Sequence, residues 1–209
     1  LTTGGNYNVI IGEEAGTAMV TADNNVVIGY NAFYRATGDG STSPDQNVAI
    51  GHSAMSGNFT TADVNNCVVI GTDAMTGTLT TDASGSIAIG KQALEALTIG
   101  QKNTAVGFQS LKLSVDGDNN TAIGYEALET YEGYSSMSVA TGAAQNVCVG
   151  ERSGDGLLTG DGNVAIGSQA LGSSTDVDST ICIGKDAGGS NMTNAADGSI
   201  LIGKDAGAA

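Results

Sequence analysis

The chain has 209 residues, of which 22 are acidic and 7 are basic, so its formal net charge is −15. Such a surface repels phosphate backbones and anionic lipid headgroups, which makes nucleic acid and membrane surfaces poor partners. No stretch approaches the roughly 20 consecutive apolar residues that span a bilayer, so we expect no membrane insertion by this segment. Frequent Gly, Ser, Thr and Asn would be compatible with disorder, but the apolar residues are too regularly placed for that.

A short apolar run that ends in glycine recurs eleven times, as in residues 47–54 (NVAIGHSA) and 163–170 (NVAIGSQA). We call its glycine the marker glycine, call each repeat a coil, and number positions relative to that glycine. The marker glycines are Gly12, Gly29, Gly51, Gly71, Gly90, Gly107, Gly124, Gly150, Gly167, Gly184 and Gly203. Five of the ten intervals are the minimum of 17 residues and the others are longer. Coils of fixed length with looped-out surplus indicate a solenoid.

The repeat runs without a break from Asn8 to Ala206, which predicts a single domain over residues 1–209. The chain begins at Leu1 and closes within a motif. We therefore expect it to be a processed product or an excised piece of something longer.

Both faces of each apolar run are hydrophobic. Positions −3 and −1 are almost wholly Val or Ile, which favours strand, and their spacing of two places them on one face. We expect this face to line the interior of the coil. Position −2 faces the other way and is also apolar, as in Ala49 and Val69. A strand buried on both faces needs a second cover, which predicts oligomerisation.

The rest of each coil is predicted from its turns. Position +3 is always Ala or Ser, and the marker glycine is expected to turn a corner with positive φ. The alternation in residues 111–115 (LKLSV) predicts a second strand, followed by a polar corner such as residues 116–119 (DGDN). The sequence thus predicts an all-β parallel β-roll of about eleven two-strand coils, about 50 Å long at a strand spacing of about 4.8 Å.

The three cysteines are predicted to be free. Cys148 and Cys182 occupy the same position two coils apart, or roughly 10 Å, which exceeds the separation of about 7 Å that a disulfide allows. We interpret Cys67, Cys148 and Cys182 as small buried apolar side chains.

The motif resembles a known family of repeats. Residues 120–128 (NTAIGYEAL) and 163–167 (NVAIG) are similar to the YadA-like head repeat of trimeric autotransporter adhesins, and similar repeats recur in bacteriophage tail fibres. The resemblance covers essentially the whole chain and implies a left-handed roll with three chains packed along a common axis. The minimum unit of 17 residues is longer than the usual adhesin repeat. The sequence contains neither an adhesin stalk and barrel nor a chaperone domain, so the choice between the two families stays open.

The residues give little support to catalysis. His52 is the one histidine and stands at the variable position +1, so it is expected to face outward, without partners for a triad or a metal site. The hexapeptide rule of left-handed β-helix acyltransferases fails at Gly117 and Gly160. A calcium-binding loop starting at Asp116 would need Gly and Glu where Thr121 and Ala127 stand. We predict no enzyme, cofactor or metal, although ion sites on a trimer axis stay open.

Recognition is expected on the surplus loops and at the exposed position +1. The longest insertion runs from Glu129 to Gln145 and a second from Tyr34 to Gln46. Candidate receptor contacts are the residues Tyr131, Tyr134, Met137, Tyr30, Phe108 and Tyr125.

The sequence predicts a homotrimeric, extracellular fibre segment, either a virion tail fibre or a bacterial surface adhesin. It presents a rigid rod for attachment to a cell-surface glycan or protein receptor. Two alternatives are a passive spacer with recognition in other domains, and, much less favoured, the acyltransferase-like enzyme. Binding by this segment alone separates the spacer from the adhesin.

Overall fold

Each of the eleven apolar motifs forms one short strand, and the strands lie side by side in a single parallel sheet. The sheet follows chain order, so each coil pairs with the coil before it and the coil after it. Equivalent positions pair throughout, as Val9 does with Val26. The strands are β1 Val9–Ile11, β2 Val26–Ile28, β3 Val48–Ile50, β4 Val68–Ile70, β5 Ile87–Ile89, β6 Thr104–Val106, β7 Thr121–Ile123, β8 Val147–Val149, β9 Val164–Ile166, β10 Ile181–Ile183 and β11 Ile200–Ile202. A 3-10 turn at Asn194–Ala196 precedes β11.

The computed structural model describes residues 5–17, 19, 21–34, 44–58, 64–80, 83–129, 145–190 and 192–207, and it confirms the all-β parallel solenoid. The predicted second strand is wrong. Within the described residues each coil contains one strand, and residues 108–118 form turns, a bend and irregular backbone with no strand. Leu111 has φ of 51°, in the left-handed region, which an extended strand cannot include.

Every coil turns through four positions of positive φ. Positions −5, +2 and +4 lie in the left-handed region in all eleven coils, and among the residues that the structure describes they include all 26 non-glycine residues with positive φ. The marker glycines have φ between 128° and 144°, which confirms their predicted role as corners. A Cβ on Gly12 would lie 2.6 Å from the carbonyl oxygen of Gly29 in the next coil. The coils can therefore stack closely only because this position has no side chain.

The structure reverses the predicted orientation of the strands. Position −2 points inward, and Val27 and Ala49 are fully buried. Positions −3 and −1 point outward, so the prediction that they line the interior is wrong. The physical reason is space. The narrow interior also holds the buried Ala or Ser at position +3 and large side chains such as Leu94, so it has no room for two columns of Val and Ile.

A column of asparagines connects the coils at position −4, and all of them are buried except Asn8, which is partly buried. Its members are Asn8, Asn25, Asn47, Asn103, Asn120, Asn146 and Asn163. The Oδ1 atom of Asn25 accepts the backbone N–H of Asn47 at 2.8 Å, and the Nδ2 atom of Asn47 donates to the Val64 carbonyl at 2.8 Å. Each such side chain satisfies a donor and an acceptor that lie away from water, so it secures the corner before the strand.

Candidate interaction surface

The outward columns of the sheet form one continuous apolar face. Position −1 is Val or Ile in all eleven coils, and position −3 is Val or Ile in all but Thr104 and Thr121. We call this the outer face. It extends for about 50 Å along the rod and is about 10 Å wide, given the spacings of a parallel sheet.

Side chains on the outer face are accessible in the single chain. Ile123 is 40% exposed and Ile166 is 38% exposed, although both lie in inner coils. An apolar patch of this extent on one side of a parallel sheet is typical of a surface that another chain covers. One face of each strand is buried within the coil, as predicted, but it is the face of position −2, and cover of the other face by a further chain stays a prediction.

The residues at position +1 border the outer face and also point outward. Three of the predicted receptor contacts lie in this column: Tyr30 is 44% exposed, Phe108 37% and Tyr125 48%. The rings of Phe108 and Tyr125 stack in parallel, with centroids 5.2 Å apart and an interplanar angle of 8°. One face of each ring is therefore already occupied, which leaves only the opposite face for stacking with a ligand.

His52 lies in the same column and faces outward, as predicted. Its ring is tilted by 34° against that of Tyr30, with centroids 5.4 Å apart. Its Nδ1 atom lies 3.9 Å from Oδ1 of Asp73 in the next coil, and 56% of its side chain is exposed. The described contacts of its side chain are thus a ring neighbour and a distant carboxylate.

The other predicted contacts, Tyr131, Tyr134 and Met137, lie outside the described residues, as do residues 35–43 of the second insertion. Their role in recognition stays a prediction.

An ion cluster that was not predicted from the sequence lies beside the longest insertion. Arg152 contacts the Oε2 atom of the buried Glu126 at 2.6 Å, and Lys112 lies 3.8 Å from the buried Glu129. The pairs join coils 6, 7 and 8 across sequence separations as long as 26 residues. The register of the repeat could have indicated both pairs, because Glu126 and Arg152 share position +2, and Lys112 and Glu129 share position +5, in adjacent coils.

Burial and charge shift the acidities within this cluster in opposite directions. Burial raises the pKa of Asp155 to about 6, although Arg152 counteracts it. Burial also disfavours ionisation of Glu126, but hydrogen bonds from Tyr125 and Arg152 outweigh it and hold the pKa of Glu126 below its ordinary value. The cluster thus holds one stabilised carboxylate and one destabilised carboxylate close together.

The three thiols are free and buried, which confirms the interpretation of the cysteines. Burial raises the pKa of Cys67 to about 11 and that of Cys148 to about 12. Because the thiolate is the nucleophile, these thiols are poorly suited to covalent chemistry near neutral pH.

The polar corner at residues 116–119 has a structural role. Oδ1 of Asp118 accepts the backbone N–H of Gln101 in the preceding coil at 2.8 Å. Asp178 and Asp197 repeat this contact at the same position in their coils. The described residues contain no group of three side chains suited to holding a metal ion. They also include no helix that is long and apolar enough to cross a membrane.

Comparisons with known proteins do not assign a family. No protein-family model, curated protein or solved structure matches the chain. The function must therefore be inferred from the surfaces described above.

Proposed function

We propose that the protein is a structural fibre segment in which three copies pack side by side through the outer face. The assembly is a stiff extracellular rod that presents surfaces for attachment to a host cell or another surface. The observation that carries the proposal is the outer face itself, which is apolar across all eleven strands although the chain is strongly anionic. Threefold packing and the extracellular setting come from the resemblance of the repeat to adhesin heads and tail fibres.

The backbone supports a mechanical role. Neighbouring coils are joined at several points around the turn, not only along the strand. The N–H at position +4 donates to the carbonyl at position +3 of the next coil, as Leu111 does to Ala127 at 3.0 Å. The N–H at position +2 donates to the preceding coil, as Glu126 does to Phe108 at 2.9 Å. Repeated bonding on several sides of the coil resists bending, as a rod that holds a binding surface away from its base requires.

Attachment by such a rod relies on multivalency. Three identical copies place three identical surfaces at fixed spacing, so weak individual contacts combine into useful avidity. The candidates on this chain are the tyrosines of the insertions and the position +1 column. Phe108 and Tyr125 stack on each other, so one face of each ring is not available to a ligand. The pair also lies beside the outer face. Both observations favour the spacer alternative for the position +1 column.

The assembly is tested by placing a charge on the outer face. Light scattering coupled to size exclusion should give the mass of three 20.7 kDa chains for the unmodified protein. Ile70→Asp should yield monomers, because a buried unpaired carboxylate disfavours packing of this face. Asn66→Asp is the matched control, since it adds the same charge to an exposed corner of the same coil. A monomeric unmodified protein contradicts the proposal.

Adhesion is tested separately by binding of the 209-residue protein to cells and to glycan arrays. Binding that is lost on simultaneous Tyr131→Ala and Tyr134→Ala substitution supports an adhesive segment. A trimer that binds neither cells nor glycans supports the passive spacer.

A further inference from the structure

The outer face is interrupted by polar side chains at one place only. Two outward positions in each of the eleven coils give 22 positions, and all but two of them hold Val or Ile. The exceptions are Thr104 and Thr121, which stand at position −3 of coils 6 and 7 and pair with each other in the sheet. Ile87 and Val147 flank them in the same column. We call these two threonines the polar pair.

The hydroxyls of the polar pair need partners once the outer face is covered. Thr104 and Thr121 are half-buried in the single chain, and their hydroxyls have no hydrogen-bond partner among the described residues. A threonine hydroxyl donates one hydrogen bond and accepts others, and a hydroxyl that is buried without a partner disfavours packing. The partner must therefore come from the covering chain or from water held at the contact.

The apolar part of the outer face does not fix the level at which copies pack. Its side chains recur at every coil, about every 4.8 Å, so a shift of one copy by a whole coil replaces Val or Ile with Val or Ile. The polar pair breaks this equivalence. When parallel copies lie at the same level, each Thr104 lies level with the other Thr104 side chains, and each Thr121 with the other Thr121 side chains. When one copy shifts by one coil, one of its hydroxyls lies level with Ile87 or Val147 of its neighbours.

We propose that the polar pairs of three copies form one polar layer that holds the copies parallel and at the same level. This inference rests on the proposed function, because the layer exists only if three copies pack through the outer face. In the aligned assembly six hydroxyls meet at two adjacent levels, and they bond with one another or with water held between them. The layer specifies the register of an otherwise uniform contact, as a single polar residue does in the seam of a coiled coil.

The test moves the polar layer by two coils. The relocated variant carries Thr104→Val, Thr121→Val, Val147→Thr and Val164→Thr, so its polar pair lies in coils 8 and 9. Each substitution exchanges a methyl group for a hydroxyl, or the reverse, on an outward side chain, so the coil interior is untouched. Circular dichroism checks that the fold is kept. Alone, the relocated variant should form the same trimer as the unmodified protein, because its three polar pairs still align.

Native mass spectrometry of two co-expressed chains, one of which carries an affinity tag, measures the share of mixed trimers. Tagged and untagged unmodified chains should mix at random. Unmodified and relocated chains should give mixed trimers at about one tenth of the random share or less, because mismatched hydroxyls are buried without partners. A mixed trimer could align its polar pairs only by shifting one chain by two coils, which would uncover part of the outer face.

The matched control is Thr104→Ser with Thr121→Ser, which keeps both hydroxyls at their level and should mix at random with the unmodified chain. Random mixing of the relocated variant overturns the polar layer and leaves the threefold assembly intact. A relocated variant that folds but does not form trimers alone also overturns it, as does a serine control that fails to mix, since the methyl groups would then set the register. Monomers of the unmodified protein overturn the proposed function and the layer with it.

Discussion

At the scale of the residue, the side chains at positions −2 and +4 fill one small interior together. A coil with a small side chain at one of these positions has a larger side chain at the other. Where position +4 is glycine, position −2 is larger than alanine: the pairs are Ile10 with Gly16, Cys148 with Gly154, Cys182 with Gly188 and Leu201 with Gly207. The remaining seven coils place Phe, Met or Leu at position +4 and Ala or Val at position −2. A Cβ on Gly188 would lie 2.5 Å from Sγ of Cys182, so the two positions share one volume.

This exchange predicts a strong coupling in coil 8. Gly154→Leu should destabilise the fold by about 2 kcal/mol, because the new Cβ overlaps Sγ of Cys148. Cys148→Ala alone should cost about 1 kcal/mol through the cavity it leaves. The double variant recreates the Ala–Leu pair of coils 5, 6, 7 and 9, and should recover at least about 1 kcal/mol. Urea unfolding of the four proteins measures the coupling, and additive losses contradict it.

The sequence located the strand before each marker glycine, but it wrongly predicted a second strand in each coil and assigned the wrong inward face to the first. Strand and corner positions follow from β-branched runs and fixed glycines, and both were predicted. The alternation of side chains with a period of two separates the faces without saying which is inside when both are apolar. The volume matching of Cys182 with Gly188 would have decided it, since only positions that share an interior compensate each other. The Arg152–Glu126 pair also had a signal, since opposite charges stand at position +2 of consecutive coils.

At the scale of the element, the asparagine column holds the corners before the strands. Oδ1 of Asn146 accepts the Asn163 N–H at 2.9 Å, and its Nδ2 donates to the Gly160 carbonyl at 2.8 Å. Asn146 and Asn163 are fully buried, so neither lost bond can be replaced by water. The column is therefore part of the fold and not a polar patch available to ligands.

Removing one member of this column should be costly. Asn146→Ala leaves a buried N–H and a buried carbonyl unpaired, and should lower the free energy of unfolding by about 2–4 kcal/mol. Asn146→Ser should lose less, because a serine at this position accepts the next N–H, as Ser86 does. Urea unfolding measures both losses. An alanine variant as stable as the serine variant would show that the side-chain bonds contribute little.

Asp155 gives the ion cluster a pH dependence of definite sign. Its pKa in the folded chain, about 6, lies above its ordinary value of 3.8, so its charged form disfavours the fold. This penalty is absent below pH 4 and complete above pH 6 to 7. Asp155→Asn should therefore raise the melting temperature at pH 8 and leave it nearly unchanged at pH 4. Thermal unfolding across this range measures the difference. An equal gain at both pH values rules out ionisation as its source.

At the scale of the whole molecule, stability is distributed along one dimension. Each strand pairs only with its immediate neighbours in the sheet, and the same positions bond at each junction. Such a molecule has no central core whose loss unfolds everything, and its length is set by the number of coils. We expect that one coil can be deleted under two conditions. The motif positions must still follow one another in the same order across the new joint, and positions −2 and +4 of the joined coil must still hold side chains that fill the interior together.

Deletion of residues 91–107 meets both conditions. It removes 17 residues, one minimal unit, and joins Gly90 to Phe108, so that Ala88 shares its coil with Leu111 instead of Leu94. We expect a folded rod that is shorter by about 4.8 Å, with unchanged far-ultraviolet circular dichroism per residue. Its free energy of unfolding should fall by about the contribution of one coil. Deletion of residues 91–104 is the control, because it removes a similar length but breaks the phase of the turns. The control should lose cooperative unfolding. Similar behaviour of both deletions would mean that the coils are not independent repeating units.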